Sequence, residues 1–301
     1  MAIDSCPTVP DDEPTQDYPT MGGRVPRLRV ECAGLTHQGR VRPNNEDHFL
    51  VAKLAKSLRV CASSLPVDNQ PHFSDEEGFL MIVADGMGGA AAGEEASMLA
   101  VTTVEEFVLN VVKWFLHLGQ HEESALLIEL REAFVRADRN VIERAQDDFR
   151  LSGMGTTLTV AFSVATDLFL VHAGDSRAYL FRDGELHQIT RDHTMAQVLV
   201  EGGVLSPEDA RHHRQRHIIT NAIGGPRKGV HAEIHKVSLV DGDTILLCTD
   251  GLTEPVDNNR IAAVLTDHPD PDAACRQLIT LALDAGGPDN ITAVVGRYQI
   301  A

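Results

Sequence analysis

The sequence predicts an α+β fold, or a layered α/β one with antiparallel sheets, on three observations. Strand-like apolar runs come first, two long stretches of helical period follow, and strands then return before two more helical stretches and a last strand. The runs 156–162, 168–172 and 177–181 are joined by short turn-like segments (Ala165-Thr166-Asp167, Ala173-Gly174-Asp175-Ser176), which suit an antiparallel meander and not a βαβ series. Apolar runs also end repeatedly in an acid followed by glycine, as in Val83-Ala84-Asp85-Gly86-Met87-Gly88-Gly89 and Leu247-Cys248-Thr249-Asp250-Gly251. That is the mark of strands delivering carboxylates to one end of a sheet.

In chain order, residues 1–29 contain Pro7, Pro10, Pro14, Pro19 and Pro26 with Asp11-Asp12-Glu13, and read as a flexible proline-rich N-terminal tail before a folded domain at 30–301. A strand at 30–36 leads into the loop His37 to Asp47, opened by Pro43 and its neighbouring asparagines, and a second strand follows at 48–52. Residues 53–78, with Pro66, Pro71 and Asp75-Glu76-Glu77, read as a loop or an extra hairpin before the strand at 79–84. Ala96, Ala100, Val104, Phe107 and Val111 set a helical stripe over 94–118, and Leu126, Leu130, Ala133, Ala137 and Val141 set another over 124–146. After the meander, short helices at 193–200 and 207–211 around Gly202-Gly203 read as a flap. Strands at 232–237 and 244–248, helices at 258–265 and 271–283, and a strand at 291–298 complete the chain.

With 301 residues, 43% of them hydrophobic, there is ample material for one large core, and aromatics at 5% make that core mainly aliphatic. A formal charge of −18 argues against nucleic acid or an anionic membrane as principal partner. Five widely spaced cysteines with no Cys-x-x-Cys indicate neither a zinc knuckle nor a disulfide framework, so a reducing cytoplasm is the expected location. No stretch reads as a signal peptide or a membrane span.

One Asp-Gly pair commonly marks only a turn. Here Asp85 and Asp250 are joined by Asn45-Glu46-Asp47, Gly174-Asp175-Ser176 and Pro288-Asp289-Asn290, all beside apolar runs. Carboxylates gathered that closely would repel unless cations lay between them. Gly86, Gly88 and Gly89, and later Gly153 and Gly155, would let backbone pass close to the site. Arg42, four residues before Glu46, could fork onto a phosphate or form a surface salt bridge. His212-His213-Arg214-Gln215-Arg216-His217 fits no zinc spacing and reads as a solvated basic patch.

The series Arg42-Pro43-Asn44-Asn45-Glu46-Asp47, Asp85-Gly86-Met87-Gly88-Gly89, Gly155-Thr156-Thr157, Gly174-Asp175-Ser176-Arg177, Thr220-Asn221-Ala222-Ile223-Gly224, Thr249-Asp250-Gly251-Leu252 and Asp289-Asn290-Ile291-Thr292 resembles the metal-dependent serine/threonine protein phosphatases of type 2C, in a bacterial-type form. The motifs stand in family order over about residues 30–300. The resemblance implies a four-layer αββα sandwich, two antiparallel sheets flanked by helix pairs, with metals in a cleft at one end. It implies Mn²⁺ or Mg²⁺, two ions in the core site with room for a third. Asp85 would bridge the two ions; Asp250 and Asp289 would complete one position, and Glu46 with the Gly86 carbonyl the other. Asp47 would act through water, Asp175 with Asp250 would hold the third ion alongside a flap carbonyl near His217, and Arg42 would bind the substrate phosphate. Thr156, Thr157, Ser176 and Arg177 would have structural places around the site.

Hard oxygen ligands of this kind suit those ions, which generate hydroxide from water near neutral pH and offset charge at phosphorus. Relatives from eukaryotes carry histidine, a proton donor to the leaving group, where this chain has Met87; methionine cannot donate, and a metal-bound water is expected instead. The implied activity is hydrolysis of phosphoserine and phosphothreonine in proteins, countering serine/threonine kinases, with phosphorylated proteins including a kinase as partners and a monomer as the working form. A regulatory phosphatase with a single partner and a non-catalytic phosphoprotein binder are the alternatives, the second disfavoured by the intact Asp85, Asp250 and Asp289. Neither a P-loop nor the protein-kinase signature set occurs.

Overall fold

The computed structural model describes residues 28–57, 75–88, 92–110, 120–226 and 229–300. Most of the expected tail, most of the 53–78 loop, Gly89 and the end of the expected 94–118 helix lie outside these residues. The strands are β1 (Leu28–His37), β2 (Asp47–Ser57), β3 (Asp75–Met87), β4 (Gly155–Thr156), β5 (Leu158–Val164), β6 (Asp167–Ala173), β7 (Arg177–Arg182), β8 (Glu185–Gln188), β9 (Ile223–Gly224), β10 (Glu233–Ser238), β11 (Thr244–Cys248) and β12 (Ile291–Ile300). The helices are α1 (Ala92–Asn110), α2 (Gln120–Asp147), α3 (Met195–Glu201), α4 (Pro207–Arg211), α5 (Asp250–Thr253), α6 (Asn258–Asp267) and α7 (Pro271–Asp284).

Two antiparallel sheets result. One has the order β1-β12-β11-β7-β8; the other runs β10-β6-β5-β3-β4-β9, with β2 paired to β3. Met81 and Val83 point between the sheets and pack with Leu168, Leu170, Leu247 and Val294. Leu80, Ile82 and Ala84 on the other face of β3 pack against α1 and α2 through Ala96, Val104, Leu130 and Phe134. The outer face of the first sheet is covered by α6 and α7, where Ile261, Leu265, Leu278 and Ile279 meet Leu246, Ala293 and Val295. The implied αββα sandwich is thus the fold. Its central strands are buried on both faces, which is why β3 and β5 read as continuous apolar runs, with each large aliphatic side chain stabilising the fold by roughly 1.5–3 kcal/mol. Helix starts are capped as their sequences direct: the Asp257 and Asp270 side chains accept from Arg260 N–H and Ala273 N–H, with Pro271 opening α7.

Several expectations need correction. β2 and β3 are longer than the apolar runs alone suggested, pairing out to Ser57 opposite Asp75, so the ends of the 53–78 segment are strand. The 156–162 run is broken at Thr157 into β4 and β5. The expected meander holds for β5 and β6 only: β6 pairs with β10 in one sheet and β7 with β8 and β11 in the other. Gly174, at φ +124°, turns the chain from the β6 sheet to the β7 sheet, a conformation that a residue with a Cβ rarely adopts. The short β4, β8, β9 and α5 were not anticipated; pieces of two to four residues carry too little periodicity to read. Among the described residues, no helix is long and apolar enough to cross a membrane.

Candidate metal centre

The acids converge because strand ends and register place them together. Asp47 opens β2 directly opposite Asp85 near the end of β3. Asp250 follows β11 and Asp289 precedes β12, its neighbour in the sheet. Asn290 ties the loop to this edge: its Oδ1 accepts the Glu46 N–H at 2.8 Å, and its Nδ2 donates to the carbonyls of Gln38 and Asn44, both at 2.8 Å. The Glu46 carbonyl accepts from Gly86 N–H at 3.2 Å and from Ser97 Oγ at 2.6 Å, which joins the loop to β3 and α1. Gly86 and Gly93 are bare because their backbones touch: a Cβ on Gly86 would strike the Gly93 carbonyl, and one on Gly93 would strike the Glu46 carboxylate. The close approach expected at Gly86 is therefore to neighbouring backbone. Gly155 likewise lies against β9, whereas a Cβ on Gly153 would meet nothing within 4 Å, so its need is the positive φ alone.

Around Asp85 the backbone is fastened by hydroxyls. Thr157 Oγ1 accepts from Asp85 N–H at 2.9 Å and pairs with Ser176 Oγ at 2.7 Å, while Thr156 Oγ1 donates to the Asp85 carbonyl at 2.8 Å. Arg177 forks onto Asp192 at 2.8 and 2.6 Å, beside the Asp175 turn.

The electrostatics are those of carboxylates packed against one another. Burial, and then the charges of Asp47, Asp250, Asp175 and Asp289, hold Asp85 well above the ordinary carboxylate range. Asp250 is raised in the same way, by burial first and then by Asp175, Asp289, Glu254 and Asp47. Burial lifts Asp47 to about 7 against two bonds to its Oδ2, from Thr249 Oγ1 at 2.9 Å and Thr292 Oγ1 at 2.6 Å. Asp175 is pushed to about 7, chiefly by burial and then by Asp192. Burial also raises Glu46. Asp47 Oδ1 and Asp250 Oδ1 are buried with no hydrogen-bond partner. Orphaned anionic oxygens amid mutually repelling acids fit divalent cations bound by oxygen.

Arg42 stands at the rim with its side chain 55% exposed, and its Nη2 contacts Asp289 Oδ2 at 2.6 Å. The salt bridge that the sequence left open for Arg42 is thus made, with Asp289. In the histidine-rich stretch, Arg216 Nε and His217 Nδ1 both reach Glu254 Oε1, at 3.2 and 3.4 Å, so its end is anchored and not simply solvated. Ligand-type atoms of His217, Asp250 and Glu254 lie within 4.8 Å of one another. Sequence reasoning did not anticipate the part of Gly93 or Ser97, which carry no chemical signature, nor Glu254, which is simply four residues after Asp250.

A two-sheet sandwich with acids converging from the ends of separate strands defines a metal-dependent phosphatase domain. Residues 62–277 match the family model described as Protein phosphatase 2C. The serine/threonine protein phosphatase PstP of Mycobacterium tuberculosis is 42% identical over 217 residues, 72% of this chain, and the chain spans 40% of that relative's length. The serine/threonine phosphatase stp of Listeria monocytogenes is 33% identical, with 86% of this chain and 92% of the relative covered. Among solved structures, the M. tuberculosis PstP/Ppp phosphatase superposes with a TM-score of 0.71 at 35% identity, covering 90% of this chain and 99% of that one. A PstP catalytic domain in complex with two manganese ions gives a TM-score of 0.70 at 34% identity, covering 91% and 100%. The chain belongs to the protein phosphatase 2C family, whose members are metal-dependent.

Proposed function

We propose that this chain hydrolyses phosphoserine and phosphothreonine in proteins, countering serine/threonine kinases, with phosphorylated proteins, a kinase among them, as substrates. The observation that carries this reading is the pair of buried, unpartnered oxygens on Asp47 and Asp250 within the ring of raised acids. Asp85, Asp250, Asp289, Glu46 and the Gly86 carbonyl would hold two divalent ions, with Asp85 serving both. Asp47 would act through water, and Asp175 with Asp250 would hold a third ion. Mn²⁺ is favoured over Mg²⁺ by affinity for such ligands. The chemistry such ions supply is acidification of a water and neutralisation of charge on a phosphate.

The protein's own groups do the rest. The Thr156, Thr157 and Ser176 hydroxyls fix the Asp85 backbone so that its carboxylate cannot drift from the other acids. Asn290 holds Glu46 and Asp289 in one frame. Arg42 leaves Asp289 and forks two N–H groups onto the phosphate, bringing a permanent cation to where charge develops during in-line displacement. Met87 offers no proton, so the leaving alkoxide takes its proton from water.

The test uses the purified chain stripped with EDTA and a phosphothreonine peptide. Adding Mn²⁺ is expected to restore phosphate release from a negligible baseline. No release at any Mn²⁺ or Mg²⁺ concentration, with peptide binding retained, would instead make the protein a phosphoprotein binder.

A further inference from the structure

Gly174 sits immediately before Asp175, where the chain crosses between sheets, and both its backbone N–H and its carbonyl are claimed by histidines. The Gly174 N–H donates to His193 Nδ1 at 3.1 Å. Its carbonyl accepts from His193 N–H at 2.7 Å and from His172 Nε2 at 3.0 Å. The imidazoles of His172 and His193 stack with centroids 4.9 Å apart, and the residues are 0% and 8% exposed.

These partners settle the tautomers. A backbone N–H can only donate, so His193 Nδ1 is unprotonated and Nε2 carries the hydrogen, directed at Glu233 Oε2 at 3.0 Å. A carbonyl can only accept, so His172 is protonated on Nε2, and its Nδ1 takes the Thr159 hydroxyl at 2.9 Å. Glu233 is held down to about 2: burial opposes this, but the bonds from His193 and His235 outweigh it.

His193 is also where both ends of the flap meet. Thr194 caps α3, Thr220 N–H donates to the His193 carbonyl at 2.8 Å, and Thr194 bridges Ile219. Asn221 Nδ2 lies 3.0 Å from His193 Nδ1 and donates to the His231 carbonyl at 2.8 Å. What these groups share is the Gly174 backbone and the root of the flap.

We infer that His193, oriented by Glu233 and backed by His172, is a positioning residue that locks the Asp175-bearing turn and the flap root into one rigid unit. The inference rests on the proposed role of Asp175 as an ion ligand. A side chain that orients a ligand's backbone controls ion affinity without touching the ion. The loss should therefore follow the Nδ1 contact and not the bulk of the ring.

Two substitutions separate the nitrogens. An asparagine amide oxygen falls near the position of Nδ1 and can still accept the Gly174 N–H; a glutamine amide reaches toward Nε2 and keeps only the Glu233 contact. Mn²⁺ binding to the full chain would be measured by titration calorimetry and by the electron paramagnetic resonance of free Mn²⁺, with melting temperatures recorded in EDTA. His193→Gln is expected to weaken the loosest Mn²⁺ site by about tenfold or more, and His193→Asn to leave it within about twofold. Asp175→Ala, the control, is expected to lose that site. Wild-type Mn²⁺ binding in His193→Gln alongside loss in Asp175→Ala would discard the clamp and keep the ligand; equal loss in the Gln and Asn variants would also discard it, since Nδ1 would not be what matters. Retention of every ion by Asp175→Ala would overturn both readings. Should His193→Gln fail to fold, Glu233→Gln on the edge strand β10 decides: roughly threefold weaker binding supports the clamp, and unchanged binding overturns it.

Discussion

Asp85 shows how one residue can carry two opposed demands. Its carboxylate faces four other aspartates that raise its affinity for a proton, so the metal-free fold tolerates it only at a cost. Asp85→Asn keeps the shape and removes the charge. The expected outcome is a metal-free melting temperature higher by about 2 °C or more at neutral pH. Phosphatase activity should meanwhile fall on the order of 10³-fold. A variant melting at or below the wild type, or retaining activity within about tenfold, would remove Asp85 from the bridge. The acids were legible in the sequence because each stands at the end of an apolar run, and order along the chain identified them. The partner of Arg42 was not legible: Asp289 lies 247 positions away. A local spacing cannot report a contact made by sheet pairing between distant strands.

At the scale of elements, the existence and type of the long strands and helices were legible, since continuous apolar runs and helical stripes survive in the final packing, but β2 and β3 run well beyond their apolar runs. Several of the other misses lie at the site. The break between β4 and β5 at Thr157, the change of sheet at Gly174 and the one-turn α5 all serve to aim a group, and none has a period of its own. The junction of β3 with α1 is of this kind. Gly93, in the first turn of α1, lets the helix backbone pass against Gly86 and the Glu46 carboxylate. Gly93→Ala leaves helix propensity better than before, yet its methyl would displace Glu46. Overpacking of this sort costs roughly 1–3 kcal/mol. The expected result is a lower melting temperature together with weaker Mn²⁺ binding, followed by calorimetry. A Gly93→Ala chain that melts and binds Mn²⁺ as the wild type does would show that Glu46 has room to spare.

Over the whole molecule the formal charge is −18, and the charges of Asp47, Asp85, Asp175, Asp250 and Asp289 act on one another at the candidate site. Asp47 and Asp175 titrate at about 7, and Asp85 and Asp250 are raised well above the carboxylate value of 3.8. An acid whose folded pKa exceeds its unfolded one binds its proton more tightly in the fold. Its stabilising contribution is complete below the unfolded value of 3.8 and is lost as pH rises through about 7. His172, lowered to about 4 by burial and then by His193, works the other way: the fold loses stability as pH falls from 6.5 toward that value. The melting temperature of the metal-free chain therefore mixes two opposing trends. The increment produced by Mn²⁺ separates them, because His172 contributes to both the loaded and the stripped chain. Ions must displace the protons held on the acids, so the increment should be small near about pH 5.5, grow through neutrality and flatten by about pH 8. Each ion present at about 100 times its dissociation constant adds about 2.7 kcal/mol. That corresponds to roughly 5–10 °C for a domain of this size. In Asp85→Asn the increment should fall to about half or less, since the proposed bridging ligand would serve both ions. An increment that is the same at every pH, or the same in Asp85→Asn, would mean that Mn²⁺ binds somewhere other than among these carboxylates.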